Sequence, residues 1–272
     1  MKIYDCTLFY DENMILELRL NMLNKHVDKF VISESMFTHS GEKKKLNFNI
    51  NNFNKFKDKI IYIVVEDMPM NLKYYKKDWP VNHLRDQHQR NALAKGYKDC
   101  DSNDLIMISD IDEIPDPNKI KQFKIKNKYG CFIQKNFQQK LNLLNITDEN
   151  WMGTKIIQKK YLKSPQWLRS IKTSKPAFWK FYKPRQPQLI FDGGWHFSFL
   201  KEPRRIAEKI KGYSHQEYNK PELIDEKKIE ERIKNRVDIF ERNFKYKKIN
   251  LDDTFPKYIL ENVNKYKNWI IQ

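Results

Sequence analysis

Short apolar runs alternate with amphipathic or charged segments over the first 110 residues, and this alternation predicts the first elements. Residues 2–10, KIYDCTLFY, read as a strand, and 12–25, ENMILELRLNMLNK, place Ile15, Leu18 and Met22 at helical spacing. A second strand follows at 29–35, KFVISES. After the basic loop THSGEKKKLNF comes a third at 59–67, KIIYIVVED. A helix is expected from Asn82 to Lys95, with Gly96 as its stop signal, and Leu105 to Ile108 form a fourth strand that is apolar on both faces. After residue 130 the pattern breaks into short aromatic-rich pieces, and no assignment follows from Trp151 to Phe199. Near the end Ile229, Ile233, Val237 and Phe240 share one helical stripe, and PKYILENVNKYKNWI reads as a terminal helix.

Strands alternating with helices at this spacing predict an α/β fold, a mostly parallel sheet flanked by helices. The expected division is 1–217 for that unit and 218–272 for a helical extension packed on it. Ligands of such sheets bind beyond the carboxyl ends of the strands. Asp5, Glu34 and the cluster in DLIMISDIDEIPDP (104–117) all lie toward those ends.

That cluster carries the main candidate chemistry. In extended chain, residues i and i+2 point the same way, so Asp110 and Asp112 present two carboxylates in one direction. Like charges so close repel unless a cation sits between them, and oxygen ligands suit Mn²⁺ or Mg²⁺. An EF-hand does not fit, because neither possible frame has Gly at its sixth position. A second motif, FDGGWHFSFL (191–200), places two glycines before Trp195 and His196, which would let backbone pass close to a ligand while the indole covers a sugar face and the imidazole meets metal or phosphate. P-loop, dinucleotide, nucleophile-elbow and zinc-protease signatures do not occur.

Composition adds bounds. The chain has 272 residues, 14% of them aromatic, enough for a large core. A net charge of +17 attracts polyanions without choosing among them and allows peripheral contact with an anionic membrane. Cys6, Cys100 and Cys131 form no metal or disulfide pattern, so a reducing compartment fits. There is no apolar run of membrane-spanning length and no signal-peptide core at the start, so the expectation is a soluble, cytoplasmic chain.

Taken in order, IYDCTLFYDENMILELRLNML, VDKFVISESMFTHSGEKKKLNF, QRNAL, DLIMISDIDEIPDP and GGWHFSFL resemble the β-1,4-mannosyl-glycoprotein N-acetylglucosaminyltransferases, the bisecting-GlcNAc enzymes of glycosyltransferase family 17. The likeness runs over roughly residues 2–217. It implies a GT-A-like, Rossmann-like fold and an inverting, metal-dependent transfer from a UDP-sugar, UDP-GlcNAc by analogy, to a glycan acceptor. Position by position it implies that Asp110 and Asp112 meet metal, diphosphate and ribose, and that Asp5 and Glu34 face the nucleoside. Lys44 and Arg90 would offer positive charge, Trp195 would pack on the donor sugar, and His196 would reach metal or phosphate. His215 and Glu217, in YSHQEYN, would close over the diphosphate. Inversion needs a base for the acceptor hydroxyl, and Asp192 and Glu217 are the candidates. The runner-up activity is a metal-dependent nucleotidyltransferase or nuclease. A nucleic-acid partner is not expected, because the lysines are dispersed and no recognition motif appears.

Overall fold

The computed structural model describes residues 1–70, 81–175, 179 and 184–272. The four expected strands are present: β1 (Ile3–Phe9), β2 (Lys29–Ser35), β3 (Ile60–Val65) and β4 (Leu105–Ser109). They pair in parallel in the order β3-β2-β1-β4, so the chain reverses its direction of winding between β1 and β4. At the carboxyl ends of that pair a crevice must open, because their connections leave to opposite sides. The flanking helices are α1 (Asn13–Leu23) and α2 (Val81–Ala92). α2 gives way to a 3-10 turn at Leu93–Tyr97, where a side chain at Gly96 would collide with Val31.

Beyond β4 the sheet becomes mixed. β5 (Glu113–Pro115), β6 (Tyr129–Gln138), β7 (Leu143–Asn145) and β8 (Asn150–Gln158) follow, then α3 (Pro165–Ser170), β9 (Gln188–Ile190) and β10 (Gly194–Ser198). β8 lies antiparallel between β4 and β6, and β10 runs parallel to β6 and antiparallel to β5. The α/β class holds, with the parallel block confined mainly to the first four strands. The glycines before Trp195 serve this sheet and not a ligand. Gly194, at φ +133°, sits so close to β5 that a Cβ would lie 2.2 Å from the Ile114 carbonyl oxygen.

The expected extension from residue 218 carries short helices that pack on the helix preceding that boundary. α4 (Pro203–Gly212), α5 (Pro221–Ile224) and α6 (Glu226–Lys234) bury Ile206, Ile210, Leu223 and Ile229 in a satellite core with Ile239 and Phe240. The stripe does not continue as one helix. Arg236 at φ +57° turns the chain, leaving Val237 exposed. A short strand, β11 (Tyr246–Lys248), then pairs with β7 at the sheet edge. The terminal helix is split into α7 (Lys257–Glu261) and α8 (Val263–Tyr266) at Asn262, whose side-chain amide donates to the Tyr258 carbonyl and competes with helix continuation.

One buried ion pair ties the parallel block together. Arg19 lies on the apolar face of α1 and is fully buried; its Nε and Nη2 donate to the two Asp5 oxygens at 2.7 and 2.6 Å. Its Nη1 donates to the carbonyls of Asp110, Ile111 and Glu113 at 3.3, 3.2 and 2.8 Å. Asp5 therefore anchors β1 to the turn after β4 and does not face a nucleoside, which corrects the sequence expectation. Removing one partner strands the other charge in the core. Arg19→Met is expected to lower stability by about 3–5 kcal/mol, read as a shift in the urea midpoint. A cost under about 1 kcal/mol would mean that the pair is dispensable.

Candidate active site

The turn from Asp110 to Asp112 opens onto a cavity of about 540 Å³ at the crevice between β1 and β4, within the range of small-ligand sites. Its walls also come from Tyr10 and Glu12 after β1, Arg90 on α2, Trp151 on β8, His196 on β10 and Lys209 on α4. Distant parts of the chain meet here because β6, β8 and β10 bring the second half of the sheet alongside β4 and β5.

The three acidic side chains of the DIDE turn have separate fates. Glu113 is fully buried and saturated: Arg169 grips both its oxygens at 2.7 and 2.9 Å, and the Trp151 indole donates at 2.8 Å. Asp110 receives Arg90 on one oxygen and Arg169 on the other, each at 3.1 Å, and keeps a 40% exposed side chain. Burial would raise its pKa, but Arg169 and Arg90 outweigh this and hold it well below the usual carboxylate range. Asp112 differs. It is buried, and no described group donates a hydrogen bond to its carboxylate; the nearest basic groups are the His196 ring, Nε2 at 3.8 Å, and the Lys209 ammonium, at 4.0 Å. Burial pushes its pKa up against the pull of both neighbours.

His196 is oriented toward Asp112 by a chain of amides. Gln138 donates to the Asn136 side-chain oxygen at 2.9 Å, so that oxygen accepts, and the His196 Nδ1 facing it at 3.1 Å carries the proton. This network turns Nε2 toward Asp112, where the neutral ring presents a lone pair. Trp151 stacks on the ring at 4.3 Å with planes 16° apart. A carboxylate without donors beside an imidazole lone pair, the far nitrogen held by a carbonyl, is the donor set of a hard cation's partial shell. Asp112 and His196 fit as protein ligands. No group of three His, Cys, Asp or Glu converges among the described residues, so substrate oxygens and water would complete the shell.

The other candidates divide. Lys44 and Arg90 line the cavity; Arg90 also grips Asp86 at 2.7 and 2.9 Å. Glu34 does not line it: fully buried, it accepts from Lys44, the backbone of Asn47 and Phe48, and Tyr62, which locks the basic loop to β2. Trp195 points to the other side of β10 from His196. It is buried in the core with its indole donating to the Thr254 carbonyl at 3.2 Å, so it packs on protein and not on a sugar. Asp192 is exposed at the tip of the β9–β10 turn, at φ +48° and off the cavity, which removes it as a base. His215 and Glu217 are at the cavity wall, the ring Nδ1 and carboxylate 2.8 Å apart. Burial works to raise the Glu217 pKa, but a backbone hydrogen bond and His215 together bring it below its ordinary value.

Trp151, Arg169 and Lys209 are functional neighbours that local sequence does not announce, since strand register and the packing of α3 and α4 deliver them. Among the described residues no helix is long and apolar enough to cross a membrane.

The family model of glycosyltransferase family 17 matches residues 1–270. No curated protein matches the chain. Among solved structures it is similar to the bifunctional IspDF from Campylobacter jejuni, at 13% identity over 59% of this chain and 42% of that one, with a TM-score of 0.30. It is also similar to an active-site mutant of LgtC, at 12% identity over 62% of this chain and 59% of that one, with a TM-score of 0.29.

The different fates of the carboxylates are measurable. A raised pKa means that the folded state holds a proton more tightly than the unfolded chain. Ionised Asp112 therefore costs stability as pH rises from its ordinary 3.8 through the folded value, and that cost persists at neutral pH. Asp112→Asn should then stabilise the metal-free protein by about 1 kcal/mol, whereas Glu113→Gln should destabilise it by roughly 3 kcal/mol. Urea unfolding of both in chelator checks this; losses of equal size would contradict the distinction.

Proposed function

The chain belongs to glycosyltransferase family 17, and from that premise and the geometry of the cavity we propose that it moves a sugar from a nucleotide donor to a hydroxyl of a glycan acceptor. The donor of this reading is UDP-GlcNAc, the ion Mn²⁺ or Mg²⁺, and the stereochemical course inverting. The observation that carries it is Asp112, a buried carboxylate without hydrogen-bond donors that faces the His196 lone pair on a cavity wall.

Asp112 and His196 hold the ion in this reading, with Asp110 beside them. When bound, it would supply positive charge against the diphosphate. Arg90 and Arg169 fix Asp110 from both sides, and Arg19 fixes the backbone of the same turn, so the carboxylates need no reorganisation as charge moves. Lys209, between Glu12 at 3.4 Å and Asp112 at 4.0 Å, supplies a further cation at the cavity wall. Glu217, ionised at neutral pH, accepts the acceptor hydroxyl proton as the oxygen attacks the anomeric carbon from the face opposite the leaving diphosphate, and His215 orients it. A single displacement of this kind needs one base and no protein nucleophile.

The test is release of UDP from UDP-GlcNAc, with Mn²⁺ and a panel of oligosaccharides. Wild type should turn over, chelator should abolish the activity, and Glu217→Gln should lower kcat about 10²- to 10⁴-fold. Asp112→Ala should weaken Mn²⁺ affinity about 10- to 100-fold. Pyrophosphate release from nucleoside triphosphates, without UDP release from any sugar nucleotide, would replace this reading with nucleotidyl transfer.

A further inference from the structure

Residues 236–244 build a wall of the cavity that neither the metal-ion chemistry nor the base uses. Phe240, Arg242 and Phe244 all line it. The Arg242 guanidinium lies 4.9 Å from the Phe240 ring centre and 4.4 Å from that of Phe244. Asp238, buried, fixes it from below, its oxygens accepting from Nε at 2.9 Å and Nη2 at 2.8 Å, and accepting also from the Arg242 backbone and the Tyr246 hydroxyl.

The wall connects to the reacting end of the cavity. Phe240 touches Phe199 with ring centres 5.2 Å apart, and the Lys209 ammonium, 4.0 Å from Asp112, lies 5.2 Å from the Phe199 ring centre. Its backbone is also held in an unfavourable conformation. Phe199, Arg236, Glu241 and Asn243 have φ of +55°, +57°, +57° and +61°, and only asparagine among them adopts the left-handed region readily. Strain of this kind persists where surrounding contacts over-determine a loop, and here Arg232 holds Glu241 while Phe240 packs on Phe199.

We propose that Phe240, Arg242 and Phe244 form the acceptor subsite, and that they select a neutral pyranose over an acidic or phosphorylated acceptor. The proposal rests on the transferase reading above. The half-buried Phe244 ring offers apolar surface to the C–H face of a sugar, while Phe240, buried behind Arg242, backs the wall. Arg242 offers a planar donor in a fixed orientation, but Asp238 already balances its charge, so the subsite gives direction to hydroxyl oxygens without a surplus positive charge for an anion. Asp238 is a positioning residue.

The experiment pairs kinetics with a binding measurement that needs no turnover. Saturation-transfer NMR with lactose, N,N′-diacetylchitobiose and mannobiose, and with digalacturonic acid as the acidic control, should show contact for at least one neutral disaccharide and none for the acid. Phe244→Ala, at a half-buried position, should remove that contact. With a disaccharide that is turned over, Arg242→Gln and Phe244→Ala should raise the acceptor KM about tenfold, the loss of one hydrogen bond to a charged group or of an aromatic contact, while the donor KM stays within twofold. The double variant Asp238→Asn, Arg242→Gln, which leaves no unpaired buried charge, should fold and show the same split. Preference for the acid, absence of any disaccharide signal with wild type, or equal movement of the two KM values would overturn the subsite. Absence of UDP release with NMR contact intact would count against the transferase reading alone.

Discussion

The structure turns on a cation in the wrong place for a surface helix. Arg19 sits among Ile15, Leu16, Leu18 and Leu20 with no exposure, a position tolerable only because every donor direction is filled: Asp5 on β1, the hydroxyl of Ser109 on β4 and three carbonyls of the following turn. A buried charge is bearable only when paired and hydrogen-bonded throughout. That requirement makes α1, β1 and the DIDE turn mutually dependent, and the cavity inherits its floor from their common geometry.

From this follows a division of labour among acids that look alike in sequence. Asp5, Glu34 and Glu113 are buried and saturated by protein donors, so they are framework. Asp110 is held by two guanidinium groups and keeps one side open. Asp112 alone of the set is buried without a donor, and the desolvation it suffers is the physical reason to place a cation beside it. The separation comes from partners contributed by α1, α2, α3, β3, β8 and the basic loop, none of them adjacent in sequence to the acid served.

The parallel strands, α1 and the D-x-D turn were legible because each is a local pattern: apolar runs of strand length, helical spacing, and i,i+2 carboxylates after a buried strand. The mixed half of the sheet was not. β6 carries Gln134, Asn136 and Gln138 at buried positions, so it lacks the apolar signature of a core strand, yet Asn136 and Gln138 orient His196. Of WHFS only His196 reaches the cavity, because strand alternation sends Trp195 and His196 to opposite faces, and the indole beside that ring is Trp151 from β8. Asp192 illustrates the converse limit: nearness in sequence to a site histidine says little when a tight turn directs the side chain away. Arg19 had a visible signal, a charge at i+4 from Ile15 on an apolar helix face, which reads as an error in amphipathicity until its partner is known.

The pairing of β11 with β7 has a consequence for how the molecule comes to be. Tyr246 lies opposite Asn145, and Lys265 near the end of the chain bonds Glu17 near its start. The parallel block can form while later residues are still on the ribosome, but the sheet edge and the wall carrying Arg242 must wait until residues 236–248 have emerged. Contacts of such long sequence separation close slowly, after the entropy of a large loop has been lost. A nascent chain would thus hold its carboxylate turn in shape well before it could enclose anything, so competence arrives late and all at once.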